Sequence, residues 1–139
     1  MTTHPPDIWQ IIRDETTQAA AEEPMLASFL HMTVLRHDSL ANVLAFHLSS
    51  KLASPTMDAR ALYELFLHAL ACDPNIEPAV LADIQACYDR DPACDQYCLP
   101  LLYFKGFHAI QAHRINHCLW QQGRKTLAYF LQNRASEVF

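Results

Sequence analysis

Glycine is nearly missing from this sequence, at 2 of 139 residues. Tight hairpins and phosphate-cradling loops use backbone conformations that glycine adopts without strain, so its scarcity argues against a hairpin-rich fold and a nucleotide-binding loop. There is no G-x-S-x-G elbow, no P-loop and no dinucleotide-binding glycine fingerprint, and the usual devices of acyl-enzyme and phosphate chemistry are therefore missing. Basic clusters are also lacking. Ten Lys and Arg stand against fifteen Asp and Glu, for a net charge of −5, and a nucleic-acid partner is not expected. No apolar run reaches the ~20 residues that cross a bilayer. The opening Met-Thr-Thr-His-Pro-Pro-Asp has neither the basic start nor the apolar stretch of a secretory signal. A cytoplasmic protein without membrane association is the expectation. Internal repeats, low-complexity tracts and any six-residue ladder of small and aliphatic residues are absent as well.

What remains is an apolar chain, 51% by composition, with helical periodicity throughout. Its length suits one domain over residues 1–139, burying about two-thirds of the surface that the unfolded chain exposes. Five cysteines, Cys72, Cys87, Cys94, Cys98 and Cys118, form an odd set in a core-forming sequence, which suits reduced thiols better than a disulfide framework. Ile8, Ile11, Ile12 and Ala19 share one helical face, and Pro24 interrupts it. From Met25 to His37, Leu26, Phe29, Leu30 and Val34 continue an apolar face, after which Asp38 or Ser39 can cap a helix carrying Leu40, Val43, Leu44 and Leu48. Ser54-Pro55 reads as a helix start, and Leu62, Leu65, Phe66 and Ala69 form the buried stripe that follows. Ile76, Val80, Ile84 and Cys87 line the next helix, which stops near Tyr88 to Arg90. Pro100 opens the longest segment, on which Tyr103, Phe107, Ile110, Arg114 and His117 step by four and three. Gly123 ends it, ahead of a last helix with Leu127, Phe130 and Leu131. These starts and stops predict an all-α fold, a compact bundle of about seven or eight helices.

Three constellations could bear chemistry. Cys94-x3-Cys98 and His113-x3-His117, fourteen residues apart, fit the loose spacing of a zinc site. Against it, Leu99 to Ala112 is a continuous apolar helical stretch with no hairpin to fold one pair back onto the other. His108 lies nine residues from His117 and points to the opposite side of the helix, so at most two of these three histidines converge. The blander expectation places His117 in the core or a subunit contact, with one ring nitrogen hydrogen-bonded. Asp91-Pro92 and Asp73-Pro74 share a dipeptide, and each Asp reads equally as a cap for a helix beginning at proline.

The whole chain resembles one family. PLLYFKGFHAIQAHRINHCLWQQGR, from Pro100 to Arg124, resembles the segment that closes the helical amino-terminal domain of bacterial serine acetyltransferases. EEPMLASFLH at Glu22 to His31, KLASP at Lys51 to Pro55, DIQACYDRDPACDQY at Asp83 to Tyr97 and FLQNR near the end match in the same order. The resemblance implies an acyltransferase moving the acetyl group of acetyl-CoA onto L-serine to give O-acetylserine for cysteine biosynthesis. It also implies a hexamer, built as a dimer of trimers through the helical domains. The family's catalytic histidine and acetyl-CoA groove belong to a left-handed β-helix that these residues do not include. Hence no catalytic, cofactor-binding or metal-binding residue is expected here, and the chain by itself is expected to be inactive.

Asp91 aligns with an acidic residue that the family places in the serine pocket, near the substrate's amino group. A carboxylate there would make a charge-assisted hydrogen bond that orients the nucleophile. Docking onto O-acetylserine sulfhydrylase would rest on a carboxy-terminal tail outside these residues. His113 and Cys118 depart from the family's expected tyrosine and tryptophan, so the zinc-like spacing is partly this sequence's own. A stand-alone helical oligomerisation module and a small zinc-binding domain are the alternatives.

Overall fold

The computed structural model describes residues 6–139. Its first helix, α1 (Ile8–Glu22), starts where the Asp7 carboxylate accepts from the Gln10 amide at 3.2 Å, satisfying one of the donors that a helix start leaves unpaired. Pro24 stops it. A short 3₁₀ turn (Pro24–Leu26) leads into α2 (Ala27–Leu30), which widens into a single π turn at His31–Leu35. Leu30 and Val34 are buried there, but Leu26 and Phe29 are 39% and 38% exposed, so the continuous apolar face expected across Met25 to His37 is only half formed. Leu26, in the 3₁₀ turn, and Phe29 lie off the core side, while Leu30 and Val34, on either side of the start of the wide turn, keep to it.

Ser39 caps α3 (Leu40–Leu52), accepting from the Asn42 amide at 3.2 Å. This helix is buried almost all round, through Leu40, Val43, Leu44, Ala45, Leu48 and Leu52, as befits a central helix rather than an amphipathic one. Ser54-Pro55 does not start a helix. Ser54 and Met57 exchange backbone hydrogen bonds across a turn, and α4 (Ala59–Cys72) begins only after Asp58, whose carboxylate accepts from the Ala61 amide. Leu62, Phe66 and Ala69 pack inward from α4, with Leu65 half-buried, while Arg60, Glu64 and His68 lie exposed.

Beyond α4 come α5 (Ile76–Arg90), α6 (Cys98–Tyr103), α7 (Lys105–Gln121) and α8 (Lys125–Val138). The long segment read from Pro100 is two helices. Phe104 is extended, at φ −89° and ψ 106°, and breaks the helical run between Tyr103 and Lys105. The stop at Gly123 is as expected, with φ +81° where other residues are strained.

Helix α3 packs on α4 and α8, and α7 packs on α8, α4 and α5. Arg134 of α8 donates to the Leu52 and Ala53 carbonyls at 2.9 and 2.8 Å, placing a cation against the unpaired carbonyls at the end of α3. The result is eight α-helices and no strand among the described residues.

Candidate functional site

Helix α5 ends at the residue singled out as a substrate ligand. Pro92 disfavours a helical conformation at Asp91, and Asp91 is extended at φ −98° and ψ 114°, its amide making the last helical bond to the Cys87 carbonyl at 3.0 Å. Its Oδ1 then accepts from the Ala93 amide at 2.9 Å, and its carbonyl accepts from the Cys94 amide at 2.9 Å. Neither Asp-Pro pair caps a helix that begins at proline. Asp73 makes the same side-chain turn to the Asn75 amide, and α5 starts at Ile76. Both aspartates close one helix and tighten the chain after it, a habit of short carboxylate side chains. Asp91 is exposed. With Oδ1 held by the turn, its second carboxylate oxygen faces solvent.

The turn is anchored from several sides. Cys94 is buried and points its thiol at the Gln96 carbonyl, 3.3 Å away. Glu15, on α1, accepts from the Tyr97 amide at 3.0 Å and the Cys98 amide at 2.9 Å, so a carboxylate more than eighty residues earlier caps the start of α6. Tyr97 stacks on Tyr88 with ring centroids 4.1 Å apart and an 8° interplanar angle, and Gln85 joins Asp89 to the Tyr97 hydroxyl. Asp91 is thus displayed on a stiff platform.

The thiols near it are poor nucleophiles and poor metal ligands. Burial, followed by the negative charge of Glu15, pushes the Cys98 thiol up to about 12, and burial also raises Cys94 and Cys87. A thiol kept protonated at neutral pH is chemically quiet. All five cysteines are free, in keeping with the reduced thiols expected.

The spacing that suggested zinc does not become a cluster. Cys94 and Cys98 are buried around the start of α6, whereas His113 and His117 are exposed on α7 with ring centroids 6.4 Å apart. Among the described residues no group of three or more His, Cys, Asp or Glu side chains could hold a metal ion. The core placement expected for His117 is also corrected. Helix α7 buries Phe107, His108, Gln111, Ala112, Ile115, Cys118 and Leu119, a face rotated away from the one bearing Tyr103, Ile110 and His117. His108 is the buried one, its Nε2 2.7 Å from the Leu101 carbonyl and its ring 4.8 Å from that of His47.

A family model described as serine acetyltransferase, N-terminal, matches residues 8–112. The chain belongs to the serine acetyltransferase family. It is 51% identical over 132 residues to the serine acetyltransferase of Escherichia coli K12, a match covering 95% of this chain and 48% of that protein. The crystal structure of the Neisseria gonorrhoeae serine acetyltransferase superposes with a TM-score of 0.94 at 70% identity, over 96% of this chain and 53% of the other. The same enzyme in complex with serine gives 0.94 and 69%, over 97% of this chain and 56% of the other. This chain therefore spans about half the length of the relatives it matches, and the half it matches is helical. Among its described residues no helix is long and apolar enough to cross a membrane.

Proposed function

We propose that residues 1–139 form the amino-terminal helical domain of a cytoplasmic serine O-acetyltransferase, which transfers the acetyl group of acetyl-CoA to the hydroxyl of L-serine and releases CoA and O-acetylserine. The observation that carries this reading is the fit of nearly the whole chain, at 69% identity, to a serine acetyltransferase crystallised with serine. In this reading the helical domain does no bond-making itself. It supplies Asp91 to the serine pocket and helps assemble a hexamer of two trimers, while the acetyl-CoA groove lies in the half of the family that these residues do not span.

The geometry at Asp91 supports the substrate role. A serine bound for reaction presents an ammonium group, and an exposed carboxylate with one oxygen locked by Ala93 offers the other as a fixed acceptor. Hydrogen bonds to charged groups contribute about 1.5–3 kcal/mol, enough to set which way the serine hydroxyl points.

Release of CoA thiol with L-serine and acetyl-CoA tests this, measured for the chain alone and for the chain extended by the second half that its relatives possess. Activity in the extended form only is the expected result. Failure of the extended, folded hexamer to release thiol would leave a helical assembly module without catalysis.

A further inference from the structure

A cleft of about 490 Å³ opens between the end of the His31–Leu35 π turn, α3 and the first turn of α4, away from the Asp91 platform. Three features make it a built site rather than a surface dent. First, the π turn ends at its edge: the Arg36 amide reaches back five residues to the His31 carbonyl at 2.9 Å, and Arg36 and His37 then line the cleft. Such wide turns are rare and recur at functional positions. Arg13 of α1 fixes the backbone just beyond the turn by donating to the His37 carbonyl at 2.9 Å.

Second, the Arg36 guanidinium is oriented. Its Nε donates to the Met32 carbonyl at 2.9 Å and its Cζ lies 4.6 Å from the centroid of the Phe46 ring. Its two terminal amino groups have no hydrogen-bond partner among the described residues. Arg60, on the first turn of α4, also lines the cleft, with its side chain 85% exposed and tethered by a 3.5 Å contact to Glu64. Third, in a chain of net charge −5, two arginines are gathered here: Arg36 and Arg60 line the cleft with one lining carboxylate, Asp38, and a second carboxylate, Glu64, beside Arg60. The ring of Tyr63 and the tilted pair of Phe46 and His37, centroids 5.0 Å apart, supply ring wall.

We propose that this cleft binds a small organic anion, with Arg36 and Arg60 converging on its phosphate or carboxylate and Phe46 and Tyr63 flanking its body. Guanidinium forks suit both oxyanions, bidentately where geometry allows. The volume falls within the range of small-molecule pockets, roughly 300–1,000 Å³.

Calorimetric titration of the chain with phenyl phosphate, benzoate and inorganic phosphate separates the two oxyanions and tests the ring wall. Saturable binding of phenyl phosphate or benzoate, tighter than that of inorganic phosphate and weakened at least tenfold by Arg60→Gln, is the expected result. Phenyl phosphate alone would identify phosphate esters, and benzoate as well would widen the class to carboxylates. Arg60 is solvent-facing, so its variant stays folded, and a circular dichroism melt superimposable on the parent's checks this; Arg36→Gln gives the second measurement. No saturable binding of any of the three, or binding indifferent to Arg60→Gln, overturns the proposal.

Discussion

Glu15 holds the amides of Tyr97 and Cys98 with both carboxylate oxygens, and no other side chain of the Asp91 platform reaches so far along the chain. Replacing it by Gln removes the charge and one of the two acceptors, and should lower stability by about 1–2 kcal/mol, read from the urea midpoint; an unchanged midpoint would show that α6 caps itself. No local pattern around Glu15 betrays this role, because its partners lie more than eighty residues away. His47 is a second case. It is 5% exposed, and burial, aided by the nearby His108 and Lys51, lowers its pKa to about 4. Since the unfolded histidine titrates near 6.5, the unfolded state binds the extra proton between those values. The stability that neutral His47 preserves is therefore complete above pH ~6.5 and falls as pH drops towards 4, by up to about 3 kcal/mol. Melting curves between pH 7.5 and 4.5 should show that decline, with a shallower slope in His47→Leu; a slope unchanged by the substitution would assign the effect elsewhere. The sequence pointed to neither histidine nor carboxylate. Asp91 is singled out as a substrate ligand only by the family resemblance, since its Asp-Pro setting recurs at Asp73.

At the level of elements, the helices were readable because their punctuation is local. Pro24, Ser39 and Gly123 act within one turn of where they stand, and each stops or starts the helix expected of it. Gly123, at φ +81°, would meet nothing within 4 Å if given a Cβ, so Gly123→Ala tests the backbone alone. It should cost about 1–2 kcal/mol, measured by thermal melting; a neutral result would mean that the α7–α8 turn relaxes freely. What could not be read depends on packing. The break at Phe104 has neither Gly nor Pro at its centre, and the π turn at His31–Leu35 has no sequence signature. The break at Phe104 changes the helical phase, so Ile110 lies outward where uninterrupted periodicity put it inward, and Phe29, just ahead of the π turn, is exposed too. The pattern by fours and threes was present on α7, but the buried set is the parallel one through His108, Gln111 and Ile115. Two polar side chains on that face hid it from a reading based on apolar residues.

On the scale of the molecule, the all-α architecture followed from the near absence of glycine and from periodicity, and the family from an ordered series of matched segments. In the proposed function, the bundle's part rests on what its rigid elements present: a helix end that displays Asp91, braced by α1 and α6. Asp91→Asn keeps the turn-making oxygen and removes the charge. In the chain extended by its relatives' second half, serine-dependent CoA release is therefore the decisive measurement. The account predicts that Asp91→Asn lowers kcat/KM for serine by about 10–100-fold, with KM for acetyl-CoA nearly unchanged, as the loss of one charge-assisted hydrogen bond requires. A variant with parental kcat/KM for serine would contradict it, and would return Asp91 to the role of a helix stop.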